Sequence, residues 1–294
     1  MNNKESQLAE VTAPLAKREG KVGRGVVLDS VVIGYGEHVV AGPISAELRA
    51  GELCCLLGAN GAGKSTLLRT LATFQPSLSG EMWIGDRKIT DIAPRELSTL
   101  IGIVLTERIR TQGITVRDMV AMGRSPYTNF WGKLTEEDNQ EVDKAMQLVG
   151  ITHFADRQIA TLSDGERQKV MIAKALAQGT PIILLDEPTA FLDFPSKVDI
   201  MLLLGRLAHD MGKTIFLSTH DLDLALQTAD CLWLMAPSGY QMKCHFAVGT
   251  PHELAEDLPL FFPSEHLSYD AEHLRFNIET LSPNPSRGEG VYTK

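Results

Sequence analysis

Short apolar runs bounded by turn residues alternate along the chain with stretches of helical period. Leu53-Cys54-Cys55-Leu56-Leu57 ends at Gly58, and Ile101-Gly102-Ile103-Val104-Leu105 follows. Pro181-Ile182-Ile183-Leu184-Leu185 ends at Asp186, and Thr214-Ile215-Phe216-Leu217 ends at Ser218. Runs of this length and composition predict strands buried on both faces. Residues 165–178 predict a helix with Val170, Met171, Ala173 and Leu176 available for its inner side. Buried strands alternating with helices predict an α/β fold with a mostly parallel core sheet, whose strand ends line a ligand crevice. Residues 116–160 differ: they carry a helical pattern, no convincing buried strand, and breaks at Ser125-Pro126 and Trp131-Gly132. They predict an inserted helical subdomain.

The two ends leave the pattern. Residues 1–22 are polar and residues 282–294 are rich in proline and glycine, so both predict disordered tails. Between them the expectation is one domain over 23–260, with the helical insertion at about 107–178, and an extension over 261–281 packed on it. No internal repeat occurs. No apolar run reaches the roughly 18 residues that a membrane span needs, so a role at a membrane requires other chains to form the pore. A net charge of −9 argues against a nucleic-acid partner, because phosphate backbones select a basic face. Cys54, Cys55 and Cys231 lie in apolar runs, and no CxxC pair accompanies them or Cys244, so reduced structural thiols are expected.

Gly58-Ala59-Asn60-Gly61-Ala62-Gly63-Lys64-Ser65 fits GxxxxGK[ST], between a strand-like run and the helix-like stretch that begins at Thr66. Glycines let successive N–H groups turn inward around phosphate oxygens, and the helix N-terminus adds partial positive charge. Lys64 is expected to neutralise the β- and γ-phosphates of a nucleotide, and Ser65 to hold Mg²⁺. Asp186-Glu187 puts two carboxylates at the end of a buried strand. Asp186 suits Mg²⁺, and Glu187 suits the attacking water, the division of labour that phosphoryl transfer requires. Ser163, with Glu166 three residues on, is a capping-box pattern that opens a helix.

Together these residues resemble the nucleotide-binding domain of the ABC ATPase family over roughly residues 26–255. The resemblance implies a P-loop NTPase core with an N-terminal antiparallel β subdomain, and ATP with Mg²⁺ as cofactors. It extends the ATP-binding set to Tyr35, as the aromatic stacked on adenine, with Gly58, Asn60, Gly61, Ala62, Gly63, Lys64, Ser65 and Thr66. Residues 163–168 resemble the family signature Leu-Ser-Gly-Gly-Gln, which caps the ATP held by the opposite subunit. Ser163 and Gly165 are retained, whereas Asp164 and Glu166 replace glycine and glutamine. Two extra carboxylates there weaken attraction for a phosphate unless they point away. Asp193 matches the D-loop at the subunit interface, and His220 matches the switch histidine that reads the γ-phosphate, completing a catalytic set of Glu187, His220 and Lys64. The glutamine of the family's Q-loop falls on Thr106, followed by Glu107. Glu107 is slightly favoured as the substitute Mg²⁺ ligand for its reach.

One set of motifs implies a homodimer, mounted on two membrane permease subunits at the cytoplasmic face of the plasma membrane and served indirectly by a substrate-binding protein. Gly113-Ile114-Thr115-Val116, followed by Met122-Gly123-Arg124-Ser125-Pro126-Tyr127, resembles ATPases of importers for iron–siderophore complexes, haem and cobalamin. By itself that pattern reads as a helix end and a surface turn. The resemblance implies import of an iron complex, siderophore or haem. The alternatives are a cobalamin importer ATPase or a soluble ABC ATPase such as an iron–sulfur assembly factor.

Overall fold

The computed structural model describes residues 25–106, 113–129, 131–236, 245–263, 266–270 and 273–278. Both predicted tails and Glu107 lie outside these residues. The described chain opens on a hairpin of β1 (Val26–Tyr35) and β2 (His38–Leu48), with Tyr35 opposite His38. β4 (Ser79–Ile84) and β5 (Arg87–Lys88) complete an antiparallel sheet of order β2-β1-β4-β5. Between β2 and β4 the chain leaves for a second sheet, through β3 (Leu53–Gly58), and returns by helix α1 (Lys64–Leu71).

The second sheet has the order β10-β9-β3-β8-β7-β6. Its parallel strands are β6 (Ile101–Val104), β7 (Ile182–Asp186), β8 (Thr214–Ser218) and β9 (Cys231–Ala236) together with β3. β10 (His245–Gly249) pairs antiparallel with β9 at one edge. The four predicted runs thus become β3, β6, β7 and β8, within a residue at each end. Alternate residues of β3 serve two cores: Leu53, Cys55 and Leu57 face the helices, while Cys54 and Leu56 face α1 and the antiparallel sheet. Because successive side chains point to opposite faces, a strand packed on both sides has no position for a polar residue. Cys231, expected to be buried, is only half-buried, since it starts β9 at the sheet's N-terminal edge.

The insertion folds as α3 (Val116–Ala121), α4 (Glu136–Val149) and α5 (Asp164–Ala177), after α2 (Pro94–Leu100). Val116, Val120, Val142, Met146, Val170 and Ala173 meet in its interior. The stretch read as a helix end and turn does end α3, with Met122 and Tyr127 exposed, but its Gly123 and Arg124 are buried and form an internal clamp. A Cβ on Gly123 would lie 2.2 Å from the Lys174 carbonyl oxygen, so α5 approaches as closely as glycine permits. Arg124 is 7% exposed; it donates from Nε to Asp138 Oδ1 at 2.8 Å and from Nη1 to the Ala177 carbonyl at 2.8 Å. Its guanidinium also lies 3.9 Å from the centre of the Tyr127 ring. Asp138 in turn closes a capping box with Thr135 at the start of α4. One buried ion pair therefore joins all three helices of the insertion.

Helices α6 (Phe194–His209) and α7 (Leu222–Thr228) cover the helix-side core. α8 (Leu258–Phe261) leads into the extension, whose described residues form an antiparallel pair of β11 (Leu267–Asp270) with β12 (Arg275–Ile278). Phe262, Tyr269, Leu274 and Phe276 pack against the main core, and the Phe276 N–H donates to Asp223 of α7 at 3.3 Å. No helix among the described residues is long and apolar enough to cross a membrane.

Candidate functional site

Parallel register brings the C-terminal ends of three neighbouring strands together: Leu56 of β3 stands opposite Ser218 of β8, which stands opposite Asp186 of β7. The chemistry of the site is placed by the turns that leave these ends. After β3, Gly61 and Gly63 take φ of 82° and 100°, in the left-handed region that ordinary residues avoid. A Cβ on Gly63 would also lie 2.8 Å from Val40 Cγ1. The loop therefore curls over the N-terminus of α1, with Ser65 exposed on its first turn and Ala62 and Thr66 buried.

Lys64 is 6% exposed and folds back over the loop, donating to the Gly58 carbonyl at 2.8 Å and the Ala59 carbonyl at 3.2 Å. Burial lowers its pKa, and the nearby carboxylates of Glu187 and Asp186 oppose that shift. An ammonium has three donors, so two carbonyls leave it able to take a phosphate oxygen. Tyr35 is half-exposed and bonds through its hydroxyl to Thr66 Oγ1 at 3.1 Å, which stands its ring beside the first turn of α1.

At the end of β7, Asp186 Oδ1 accepts the Ser218 hydroxyl at 2.7 Å, and its carbonyl accepts the Thr106 hydroxyl at 2.8 Å. Thr106 thus reaches this site, but its one proton is spent on the backbone of Asp186. Glu187 has a φ of 47°, a strained conformation for a side chain of its size. Its N–H is shared between the Ser218 carbonyl at 3.1 Å and hydroxyl at 3.0 Å. Its carboxylate lies 2.5 Å from His220 Nε2. His220 follows β8 through a turn that Asp221 fixes, taking Thr189 Oγ1 at 2.6 Å and Lys197 Nζ at 2.7 Å. Lys64, Asp186, Glu187 and His220 are therefore one cluster. Among the described residues no group of His, Cys, Asp and Glu forms a metal cage of protein ligands alone. The hydroxyl of Ser65 and a carboxylate oxygen of Asp186 are nevertheless the hard oxygen donors that Mg²⁺ takes alongside phosphates.

The residues expected to form the signature keep local partners. Ser163 caps α5: its hydroxyl accepts the Glu166 N–H at 3.3 Å and donates to Glu166 Oε2 at 3.0 Å, while its own N–H meets the same oxygen at 2.8 Å. The N–H of Ser163 holds the Glu166 carboxyl below its ordinary pKa. Each departure from the family pattern is matched by an arginine, Asp164 by Arg167 at 2.6 Å and Glu166 by Arg157 at 3.4 Å. Gly165 faces the first turn of α6, where an added Cβ would lie 3.3 Å from Ser196 Oγ. That turn is capped by Asp193, whose Oδ1 accepts the Ser196 N–H at 3.2 Å and whose pKa is lowered by its bonds to Ser196. Phe191 and Phe194 on either side of this cap are each 68% exposed.

Sequence reading missed Ser218 and the Asp221–Thr189–Lys197 links. The available signal was a lone polar residue closing an apolar run, Ser218, beside Thr219-His220-Asp221.

The ABC transporter family pattern matches residues 41–190. The chain is 39% identical over 204 residues to the ferric enterobactin transport ATP-binding protein of Escherichia coli, covering 69% of this chain and 75% of that one. It is 36% identical over 193 residues to the iron(3+)-hydroxamate import ATP-binding protein of Bacillus subtilis, covering 66% and 72%. A bacterial ABC transporter cassette solved as a dimer superposes with a TM-score of 0.62 at 27% identity, covering 72% of this chain and 94% of that one. With its strand-end cluster and its capped signature helix, this chain belongs to the ABC transporter family as one of its ATP-binding, ATP-hydrolysing proteins.

Proposed function

We propose that this chain powers an importer of an iron complex, siderophore or haem, as a homodimer bound to two permease subunits at the cytoplasmic face of the plasma membrane. A substrate-binding protein delivers the cargo to the permeases and does not touch this chain. The observation that carries the catalytic part is the convergence of Lys64, Asp186, Glu187 and His220 at the ends of adjacent parallel strands. Lys64 and the glycine-rich loop bind the phosphates, Tyr35 stacks on adenine, and Ser65 and Asp186 hold Mg²⁺. Bound there, the ion neutralises phosphate charge. Glu187 orients and polarises the attacking water, and His220 reads the γ-phosphate. Thr106 stands at the Q-loop position that links the site to the permease, and its hydroxyl oxygen keeps lone pairs able to accept a further hydrogen bond.

The cargo assignment draws support from two relatives named for ferric enterobactin and iron(3+)-hydroxamate and from the stretch 113–127. A strain deleted for this gene and for redundant importers is expected to lose uptake of labelled ferric siderophore or haem, and to regain it with the wild-type gene. Normal uptake of both, or loss confined to labelled cobalamin, overturns the assignment.

Dimerisation around ATP uses Ser163 and Gly165 of the partner-facing signature, with Asp193 at the interface. In the free chain the Ser163 hydroxyl proton points to Glu166 Oε2 rather than outward. Glu166 therefore competes with a γ-phosphate for that proton. Glu166→Gln removes a charge and keeps the shape of the cap, so half-maximal dimer formation is expected at about threefold to fivefold less ATP, on the order of 1 kcal/mol. Titration of the dimer by light scattering, in a background that does not hydrolyse ATP, reads this directly. A higher ATP requirement in the variant means that Glu166 itself carries the contact.

A further inference from the structure

Ser218 ends β8 with 0% exposure, the polar terminus of a run that is otherwise buried in two hydrophobic cores. Its side chain stands between the two acidic residues of the site. The hydroxyl donates to Asp186 Oδ1 at 2.7 Å and accepts the Glu187 N–H at 3.0 Å. The position is set by register, since Ser218 pairs with Asp186 on one side and with Leu56 on the other. A serine hydroxyl has a single proton. Once that proton is given to Asp186, the oxygen can only accept, and the donor available to it is the amide of Glu187. One buried atom thus fixes the carboxylate of one residue and the backbone of the next.

We propose that Ser218 is a positioning residue that ties metal binding to placement of the catalytic carboxylate. This rests on the reading of Asp186 as the Mg²⁺ residue and Glu187 as the residue that orients water. Satisfying Oδ1 from within the protein fixes the carboxylate rotamer and leaves Oδ2 as the oxygen that would serve a bound ion. The same hydroxyl helps to hold Glu187 at φ 47°, the conformation that sets its carboxylate against His220. Partners of this kind, one bond removed from a metal, commonly change affinity or activity by roughly 10- to 100-fold when deleted.

The test measures Mn²⁺ binding to the full-length chain in the presence of a non-hydrolysable ATP analogue, by electron paramagnetic resonance, beside ATPase rate against Mg²⁺ concentration. Ser218→Ala is expected to weaken Mn²⁺ binding about 10-fold or more and to lower kcat, with metal-free ATP affinity unchanged. Ser218→Thr, which keeps the hydroxyl, restores both. If Ser218→Ala fails to fold, Ser218→Cys takes its place: a thiol is a weak donor and must show the same metal defect. Asp186→Asn separates the two layers of the argument. A metal defect in Asp186→Asn with none in the Ser218 variants overturns the role of Ser218 and leaves the site reading intact. No metal defect in Asp186→Asn overturns the site reading, and this proposal with it.

Discussion

Glu187→Gln is expected to hydrolyse ATP about 10²- to 10⁴-fold more slowly than wild type, the range that a general base contributes, while binding ATP with unchanged affinity. The substitution is isosteric, and both anchors of residue 187 are backbone bonds to Ser218, so the strained turn is retained. What disappears is the negative charge that polarises water and pairs with His220 Nε2. ATP then persists in the site, and size-exclusion chromatography with ATP should show a stable dimer that wild type forms only transiently. Turnover near the wild-type rate in the purified variant removes Glu187 from this role. His220→Ala is the companion measurement, because a γ-phosphate sensor loses hydrolysis and keeps ADP affinity.

Lys64→Ala carries the second large effect, on binding itself. A charged hydrogen bond to phosphate contributes about 1.5–3 kcal/mol, so ATP affinity should fall by roughly 10- to 150-fold. The lysine is already desolvated and already inside the loop, so its third donor takes a phosphate oxygen at little further cost in burial. In the variant, the Asp186 and Glu187 carboxylates lose a balancing cation and repel a polyanionic ligand further. Calorimetric titration with ATP checks the shift against Lys64→Arg, which keeps the charge but not the reach. Equal affinity in Lys64→Ala and wild type overturns the assignment.

Much of this site is legible in the sequence because its parts are local. A phosphate loop is a contiguous run whose glycines and lysine act through neighbouring backbone, and Asp186-Glu187 advertises itself by ending an apolar stretch. The capping box at Ser163 is equally local, and its sequence spacing gave the direction in which Glu166 points. Ser218 was not legible, because its partners on β7 are set by pairing register, which no linear pattern encodes. The burial of Arg124 was not legible for a related reason: only the helix that carries Asp138 encloses it. The neutralisation of Asp164 and Glu166 by Arg167 and Arg157 falls between these cases, since Arg157 reaches Glu166 across a bend.

The clamp around Arg124 has a mechanical consequence. It grips α5 at its C-terminal end, through the carbonyls of Lys174, Ala177 and, by way of Tyr127, Gln178. Ser163 caps the opposite end of the same 14-residue helix, about 21 Å away at 1.5 Å per residue. Tyr127 is 42% exposed and Trp131 is 86% exposed, so the turn offers an outer handle while its root is locked inside. A displacement of that handle would be felt along the whole of α5, because Arg124 ties the turn to the helix's last carbonyls and to Asp138 of α4 at once.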